Sequence, residues 1–328
     1  LSVSARFLSE TRQKATELLR DALTKPRFDV EATERVRKQI LSVIESDKKN
    51  PKKIAKSELF KLTFSDHMYS SSELGEIKTV NGLRRDDLIQ AHRTSLNSDR
   101  VSIAIVGDIG EQEAANMLEE LLRDVPKSTK ALPGRAKSNF NLGIKVIDYP
   151  SPQSVVFFTL QGIKRTDSSF FEAFIMNHIL GGGGFNSRLM REIREKRGLT
   201  YSVSTSLANY ENADLYLGMF QSSNEKVSTA IDILKHELLN MAQEGVSDEE
   251  LLGAKNYLIG AYPLRFDGNV RIAKILASMQ FIGLNKDYIK SRNEKIKAIK
   301  SSDIALVANR LLSSKDFTIV IVGQPQGL

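Results

Sequence analysis

The feature that most constrains the fold is a long internal repeat. Residues 87–107 align with residues 303–323 without a gap, at a constant offset of 216 residues. In this alignment Leu96 meets Leu312, at the junction between a helical pattern and a strand-like pattern. A period of this length is far longer than that of a solenoid repeat and indicates a duplicated domain.

The repeat predicts two related domains, over residues 1–130 and 140–328. The length of 328 residues suits two cores better than one. Strands mixed with paired helices in each half predict an α+β class, with an antiparallel-rich sheet covered by helices on one face. About 72 residues of the second half, from residue 144 onward, have no counterpart in the first. The first domain is therefore expected to be incomplete at its N-terminus, either by truncation or by loss of residues.

Local sequence patterns predict the positions of the strands and helices. Alternation predicts strands at residues 1–8, 101–107, 144–149, 154–161, 201–207, 213–222 and 317–323. Helical spacing in the second half predicts helices at residues 168–179, 225–243, 247–262, 269–281, 286–299 and 301–312.

A run of four glycines, residues 181–184, opens the most distinctive segment. Ser187 is a candidate N-cap for a helix that begins near Arg188 and stops at Gly198. The turn at Gly198 brings Arg194 and Tyr201 to one side of the segment. No Gly-Lys-Ser/Thr follows the glycines, so they indicate a turn of close backbone approach and not a phosphate-binding loop.

The pattern GGGG-x-x-SRL-x-x-x-x-R-x-x-x-GL-x-Y, over residues 181–201, resembles the second domain of the pitrilysin or insulin-degrading-enzyme family. These are inverted zinc peptidases, named for H-x-x-E-H on a helix. The resemblance implies a pair of α+β domains that form half of a clamshell. It also implies that Arg194 and Tyr201 reach a zinc site on another domain or subunit, where they hold the substrate backbone and stabilise the oxyanion. The rim that contacts extended substrate would be Gly181, Gly182, Gly183 and Gly184.

The zinc half of such a site is missing from the sequence. Catalytic zinc requires three protein ligands and an open position. H-x-x-E-H is absent, and in the segment that resembles the family pattern E-R-x-R-x-x-x-x-x-E-I, Val43 takes the place of the ligand Glu. We therefore predict no metal and no cofactor in this chain, with zinc in a partner subunit. The four histidines are predicted to be structural (His67), solvent-facing (His92), packed against the glycine turn (His178) and on a helix surface (His236).

Composition narrows the function classes. The net charge of +7 comes from 47 basic residues interleaved with 40 acidic ones, which is typical of a solvated surface and not of a nucleic-acid site. The absence of cysteine excludes disulfides and thiolate ligands. No apolar run reaches the ~20 residues that membrane insertion needs. The resemblance to two-subunit bacterial proteins favours the periplasm, and otherwise the cytoplasm.

The leading hypothesis is the non-zinc subunit of a heterodimeric zinc metallopeptidase. Such a chain closes the chamber over unfolded peptides and takes part in hydrolysis only together with a zinc-binding homologous subunit. Two alternatives remain open from the residues. One is a complete zinc endopeptidase whose metal-binding N-terminal part is missing here, and the other is a non-catalytic scaffold homologue in a larger assembly.

Overall fold

A computed structural model describes residues 1–314 and 317–328 of the chain. None of the helices in these residues has both the length and the apolar composition that crossing a bilayer requires. The α-helices are α1 (Arg12–Thr24), α2 (Val30–Asp47), α3 (Pro51–Phe64), α4 (Ile77–Gly82), α5 (Arg85–Ser95), α6 (Glu111–Leu122), α7 (Phe170–Asn177), α8 (Val227–Glu244), α9 (Asp248–Gly260), α10 (Asn269–Phe281), α11 (Tyr288–Ala298) and α12 (Ser301–Leu312). The strands are β1 (Ile144–Asp148), β2 (Gln153–Gln161), β3 (Val203–Asn209), β4 (Asp214–Ser223) and β5 (Thr318–Gly323).

The strands form one five-stranded sheet in the order β1-β5-β2-β4-β3. β1 runs parallel to β5, and the other neighbouring pairs are antiparallel. β2 pairs with β4 along its whole length, from Gln153 opposite Ser223 to Gln161 opposite Leu215. This antiparallel-rich sheet combined with helices confirms the predicted α+β class.

The sheet is covered by helices on both faces. One set of side chains from β2 and β5, including Phe158 and Ile321, packs into a large core with α7, α8, α9 and α12. The alternate set, including Phe157 and Val320, packs against Leu59 of α3. The sequence analysis predicted a single covered face. Both faces are buried because β2 and β5 are apolar at consecutive positions, which is typical of strands with cover on each side.

Packing divides the described chain into two compact units. Unit 1 contains residues 1–43, 76–133 and 262–285, and unit 2 contains residues 44–75, 134–261 and 286–328. α3 therefore belongs to unit 2, and α10 belongs to unit 1. The predicted domains of residues 1–130 and 140–328 rest on the repeat and not on packing, and that division stays a prediction.

The repeat appears again in the local geometry of two helices. α5 begins at residue 85 and α12 at residue 301, at the same offset as the sequence alignment. At the start of α5 the carboxylate of Asp87 accepts the N–H of Arg84 at 2.7 Å. At the start of α12 the carboxylate of Asp303 accepts the N–H of Lys300 at 2.8 Å. In both halves, the same hydrogen bond from a backbone N–H to an aspartate therefore protects the N-terminus of the equivalent helix from fraying.

Two strand predictions in the first half were wrong. Residues 1–8 and 101–107 form no strand. A strand needs hydrogen-bonding neighbours, and the counterpart of residues 101–107 in the repeat, β5, lies between β1 and β2. The described first half contains no equivalent of β1 or β2. Residues 101–107 therefore have no neighbouring strand with which to form backbone hydrogen bonds.

Candidate functional site

The glycine run begins inside one π-helical segment of unit 2 and is followed by a second. α7 continues into the first, His178–Gly182, and a 3-10 turn follows over Gly184–Asn186. The helix predicted from Arg188 is formed mainly by the second π segment, Met190–Glu195, and it ends at Gly198, whose φ is +58°. A π turn inserts an extra residue into a helix, and such turns are frequent at functional sites.

Ser187 occupies the position predicted for the N-cap, but its hydroxyl has a different role. The hydroxyl donates to the carbonyl of Gly184 at 2.8 Å and caps no N–H group of the following turn. The carbonyl of Ser187 accepts the N–H of Arg191 at 3.1 Å, so the helix does begin there. Ser187 is buried. Its side chain therefore closes the 3-10 turn and fixes the tip of the glycine loop.

The first two glycines are required by close approach of other side chains. A Cβ on Gly181 would lie 2.4 Å from Oγ1 of Thr205 in β3. A Cβ on Gly182 would lie 2.4 Å from Nδ2 of Asn177. Neither position has room for a side chain, so the segment presses its backbone against the sheet, as predicted from the run of glycines.

The other two glycines are required by the backbone itself. A Cβ on Gly183 would lie 2.6 Å from the carbonyl oxygen of His178. Gly184 has a φ of +62°, in the left-handed region that favours glycine. Each of the four glycines is thus fixed by a separate steric or conformational demand.

A buried polar network supports the loop from below. The hydroxyl of Thr205 donates to Oδ1 of Asn177 at 2.8 Å, and the hydroxyl of Tyr216 donates to Oγ1 of Thr205 at 3.0 Å. Burial raises the pKa of Tyr216 well above its ordinary value, so the hydroxyl keeps its proton and remains a donor. The chain of hydrogen bonds ties α7, β3 and β4 together beneath the glycines.

Arg194 and Tyr201, the residues singled out by sequence, lie together in the structure. The guanidinium carbon of Arg194 lies over the ring of Tyr201, 5.3 Å from its centroid. It also lies over the ring of Phe185, 4.6 Å from that centroid. Tyr201 is 83% exposed and Phe185 is 61% exposed. We call these three residues the Arg194 clip, a cation in contact with two exposed aromatic rings.

Arg194 differs from the other arginines of its segment. Three of them form ion pairs with Glu192 or Glu250, namely Arg188, Arg191 and Arg197. Across residues 1–314 and 317–328, the guanidinium of Arg194 has no carboxylate partner within 4.0 Å. Its charge and its N–H donors are therefore available to a ligand.

Behind the glycine loop lies an open groove of about 730 Å³ that includes His178, Arg188 and Tyr257. Arg188 forms a two-pronged pair with Glu250, with Nε to Oε1 at 2.7 Å and Nη2 to Oε2 at 2.6 Å. The hydrogen bonds that Arg188 donates to Glu250 raise the pKa of Arg188. Burial alone would raise the pKa of Glu250, but the hydrogen bonds from Arg188 and Ser247 lower it. This pair anchors the start of the second π segment and leaves no free charge at that point.

The residues needed for a zinc site do not come together. No group of three or more His, Asp or Glu side chains in the described part of the chain is arranged to hold a metal ion. Val43 lies in α2, where its apolar side chain offers no ligand. The described residues therefore do not fit a catalytic zinc ion.

The histidines have separate environments. His67 lies against Tyr69 and accepts its N–H at 3.2 Å. His92 was predicted to face solvent, but it is half-buried with its Nε2 2.6 Å from the carbonyl oxygen of Leu23.

His178 stacks on Tyr257 with the ring centroids 5.0 Å apart, and burial lowers the pKa of His178. His236 is on a helix surface with its side chain 70% exposed.

Phe185 is the site residue that sequence reasoning missed. A signal was present, because an aromatic residue directly after a run of glycines and before a polar Asn186-Ser187 pair has no helical or strand periodicity to bury it. Such a residue in a turn is expected at the surface, where its exposure needs a reason.

The fold and the site define a class of protein: an α+β chain with a glycine loop, a half-buried arginine in contact with an exposed tyrosine, and no metal-ligand group among the described residues. The chain belongs to the M16 peptidase family, since the family model described as the peptidase M16 inactive domain matches residues 82–258. This membership confirms the resemblance to the pitrilysin-type peptidases and to their non-zinc subunits.

Related proteins cover nearly the whole chain. A crystal structure of the peptidase M16 inactive domain from Pseudomonas fluorescens has a TM-score of 0.89 and 26% identity, over 97% of this chain and 76% of that chain. The non-peptidase homolog YmxG of Helicobacter pylori is 23% identical, over 98% of this chain and 74% of that protein. The mitochondrial-processing peptidase subunit beta of Saccharomyces cerevisiae is 25% identical, over 97% of this chain and 71% of that protein.

Proposed function

We propose that the chain is the non-zinc subunit of a two-subunit zinc peptidase. In this proposal a homologous subunit holds the zinc, and this chain closes the chamber over unfolded peptides. Arg194 and Tyr201 bind the peptide backbone, and the four glycines of residues 181–184 form the rim of the binding surface. Membership of the M16 inactive-domain family supports this division of labour.

The observation that carries the proposal is the unpaired guanidinium of Arg194 beside the exposed Tyr201. A permanently charged side chain with no carboxylate partner in the described residues is unusual in a segment whose other arginines are all paired. Peptide carbonyls accept hydrogen bonds, and the oxygen gains negative charge when the carbonyl is attacked. A guanidinium and a phenol hydroxyl both donate, so the pair suits a carbonyl and the oxyanion that forms from it.

The rigid surroundings favour the same role. Groups that stabilise a developing charge are effective when they are held in place before the reaction. Arg194 lies in a π segment anchored by Arg188 and Glu250, and Tyr201 follows directly after the turn at Gly198. The pair is thus presented on supported backbone at the start of β3.

The proposal is tested by mixing the chain with a zinc-binding homologous subunit and measuring hydrolysis of an unfolded peptide. Arg194→Ala is expected to lower kcat/KM about 10²-fold, and Tyr201→Phe by a similar factor, because each removes a donor to the oxyanion. Arg197→Ala and Tyr257→Phe are the matched controls, since Arg197 is paired with Glu192 and the ring of Tyr257 stacks on His178. Both controls should leave kcat/KM within about twofold.

Two results would reject the assignment. Zinc-dependent hydrolysis by this chain alone would show that it has its own metal site. Equal activity of the wild-type and Arg194→Ala mixtures would show that the clip does not contact the reacting carbonyl.

A non-catalytic scaffold is the second candidate function. It is favoured by the absence of a metal-ligand group among the described residues and by the description of the Helicobacter pylori relative as a non-peptidase homolog. A scaffold would hold a partner subunit without touching its substrate. In that case the double variant Arg194→Ala/Tyr201→Phe would leave the partner's hydrolysis unchanged, while removal of the whole chain would abolish it.

A further inference from the structure

We propose that Phe185 determines which peptides bind, by selecting a large apolar side chain next to the carbonyl that Arg194 holds. This inference rests on the proposed function, because it assigns the peptide side chain that the same site accepts. Phe185 was not among the residues that the sequence singled out, and it enters through its contact with Arg194.

The position of the Phe185 ring is fixed by the loop that carries it. Phe185 is the middle residue of the 3-10 turn Gly184–Asn186. Gly184 enters the turn with a φ of +62°, and the carbonyl of Gly184 accepts both the backbone N–H and the hydroxyl of Ser187, at 3.1 and 2.8 Å. A turn closed in this way presents the ring at one place on the surface.

The exposure of this ring is costly in the absence of a ligand. Burying a Phe side chain is worth about 1.5–3 kcal/mol, yet Phe185 remains 61% exposed. A single exposed apolar residue is common and needs no explanation. Here, however, two exposed rings contact one unpaired cation, and the second of them, Tyr201, is 83% exposed. The arrangement combines an apolar surface with a hydrogen-bond donor.

A peptide backbone matches this combination. If a carbonyl oxygen accepts from Arg194, the side chain of a neighbouring residue lies within a few ångströms of the flanking rings. A large aliphatic or aromatic side chain would then cover Phe185 and remove it from water. Unfolded segments expose such side chains and folded proteins mostly bury them, so the clip would favour unfolded substrates.

Phe185 also acts on Arg194 as a positioning residue. A cation over an aromatic face gains about 0.5–1 kcal/mol at an exposed site. The contacts with the rings of Phe185 and Tyr201 together favour the observed position of the guanidinium. Loss of the ring therefore affects both side-chain selection and the placement of the donor.

The test uses the full chain and a set of short unstructured peptides that carry a fluorescent label. In this set a single Phe moves along an otherwise Gly, Ser and Ala sequence, and one member has Ser in its place. The wild-type chain is expected to bind the best-placed Phe peptide about tenfold more tightly than the Ser peptide, measured by anisotropy. Phe185→Ala should bring the Kd values of the Phe and Ser peptides to within about twofold of each other. The Ser peptide should itself lose no more than about fivefold in affinity, which is the loss expected from the cation–aromatic contact with Arg194 alone. Phe185→Tyr should keep the preference.

The matched control is Phe281→Ala in α10, since Phe281 is 64% exposed and lies in unit 1. It should leave the preference intact. Because the chain contains no tryptophan, Phe185→Trp also provides a single tryptophan, whose emission the Phe peptide should shift to shorter wavelength.

The outcomes separate this inference from the proposed function. A preference that persists in Phe185→Ala, while Arg194→Ala weakens every peptide, would overturn the selector role and leave the proposed function standing. If Arg194→Ala leaves the Kd of every peptide unchanged, the proposed function fails, and the inference fails with it.

Discussion

At the scale of single residues, the helical segment of residues 188–195 contains arginines with different roles. Arg188 is 14% exposed and is bound to Glu250 and to the carbonyl of Gly245, whereas Arg194 has only aromatic partners among the described residues. Arg188→Ala would remove the two-pronged partner of Glu250 and leave it only Arg191 at 3.9 Å and the N–H of Ser247 at 3.0 Å. The substitution is expected to lower the free energy of unfolding by about 2 kcal/mol. Arg194→Ala should cost less than about 1 kcal/mol. Chemical denaturation measures both, and equal losses would contradict the distinction between a structural arginine and a ligand-binding one.

The carboxylate of Glu192 predicts a pH dependence of stability. Burial alone would raise its pKa, but hydrogen bonds from Lys196 and Arg197 lower it from the ordinary 4.5 to about 2. A lowered pKa in the folded state means that the stabilisation is complete above pH 4.5 and is lost as the pH falls toward about 2. The basic partners are about half exposed, so screening limits the effect to about 1 kcal/mol.

Glu192→Gln is the variant that isolates this effect. The difference in unfolding free energy between the wild type and Glu192→Gln should be largest above pH 4.5 and should shrink as the pH approaches 2. Other carboxyl groups titrate in both proteins and cancel in the difference. A difference that stays constant over this range would show that the ion pairs of Glu192 do not lower its pKa.

Substitution by alanine is expected to change the stability of the fold in opposite directions at two glycines, one in the glycine loop and one in α9. Gly181→Ala would place a Cβ 2.4 Å from Thr205 Oγ1 and is expected to destabilise the fold by about 2 kcal/mol through overpacking. Gly253 lies inside α9 with no atom within 4 Å of a Cβ, so Gly253→Ala should stabilise by up to about 1 kcal/mol. Thermal melts of the two variants provide the comparison. A loss of stability at both positions would mean that the contacts of Gly181 do not explain its glycine.

At the scale of elements, α3 covers one face of the sheet through buried apolar side chains. Leu59 and Ala55 are fully buried against the face of the sheet formed by Val155 and Val320. Leu59→Ala is expected to lower the free energy of unfolding by about 3 kcal/mol, because it removes buried apolar area and leaves a cavity between α3 and the sheet. Leu306, which is 74% exposed on α12, is the control, and Leu306→Ala should stay within about 0.5 kcal/mol of the wild type. A small loss at Leu59 would mean that α3 does not hold this face of the sheet.

Elements with strong periodicity could be predicted from the sequence, and elements that depend on distant neighbours could not. The predicted helices at residues 269–281 and 301–312 coincide with α10 and α12, because each has apolar residues at helical spacing between clear end signals. The π segments were not predicted, since an inserted residue leaves no periodic signal. Residues 101–107 have the same strand-like pattern as β5, but no strand pairs with them in the described part of the chain. Local pattern defines what a segment favours, and pairing decides whether a strand forms.

The candidate site was likewise predictable from the sequence only in part. Arg194, Tyr201 and the glycines are recognisable because they recur at fixed spacing in a known pattern, and the structure brings Arg194 and Tyr201 together. The contact of Arg194 with Phe185 arises from the turn at Gly184 and the closing hydrogen bonds of Ser187. The roles of Arg194 and Tyr201 stay proposals that the hydrolysis experiments test.

At the scale of the whole molecule, the two units differ in how much apolar surface they bury. The described residues of unit 1 include only four buried hydrophobic residues: Val80, Val125, Tyr262 and Met279. The large apolar clusters of the chain all lie in unit 2. Hydrophobic burial is the main favourable term in folding, so unit 2 holds most of the stability. Unit 1 is expected to open at lower free energy.

The internal repeat supplies a matched pair of segments for testing this difference. Residues 102–107 and 318–323 are both rich in Ile and Val and share the ending Ile-Val-Gly, so the exchange rates of their free amides are similar. In β5 the amides pair with neighbouring strands on both sides, whereas residues 102–107 have no ladder. Hydrogen exchange followed by mass spectrometry is therefore expected to be at least about 10³-fold slower in residues 318–323. Equal protection would mean that residues 102–107 pair with a strand in solution, and the assignment of low stability to unit 1 would then be wrong.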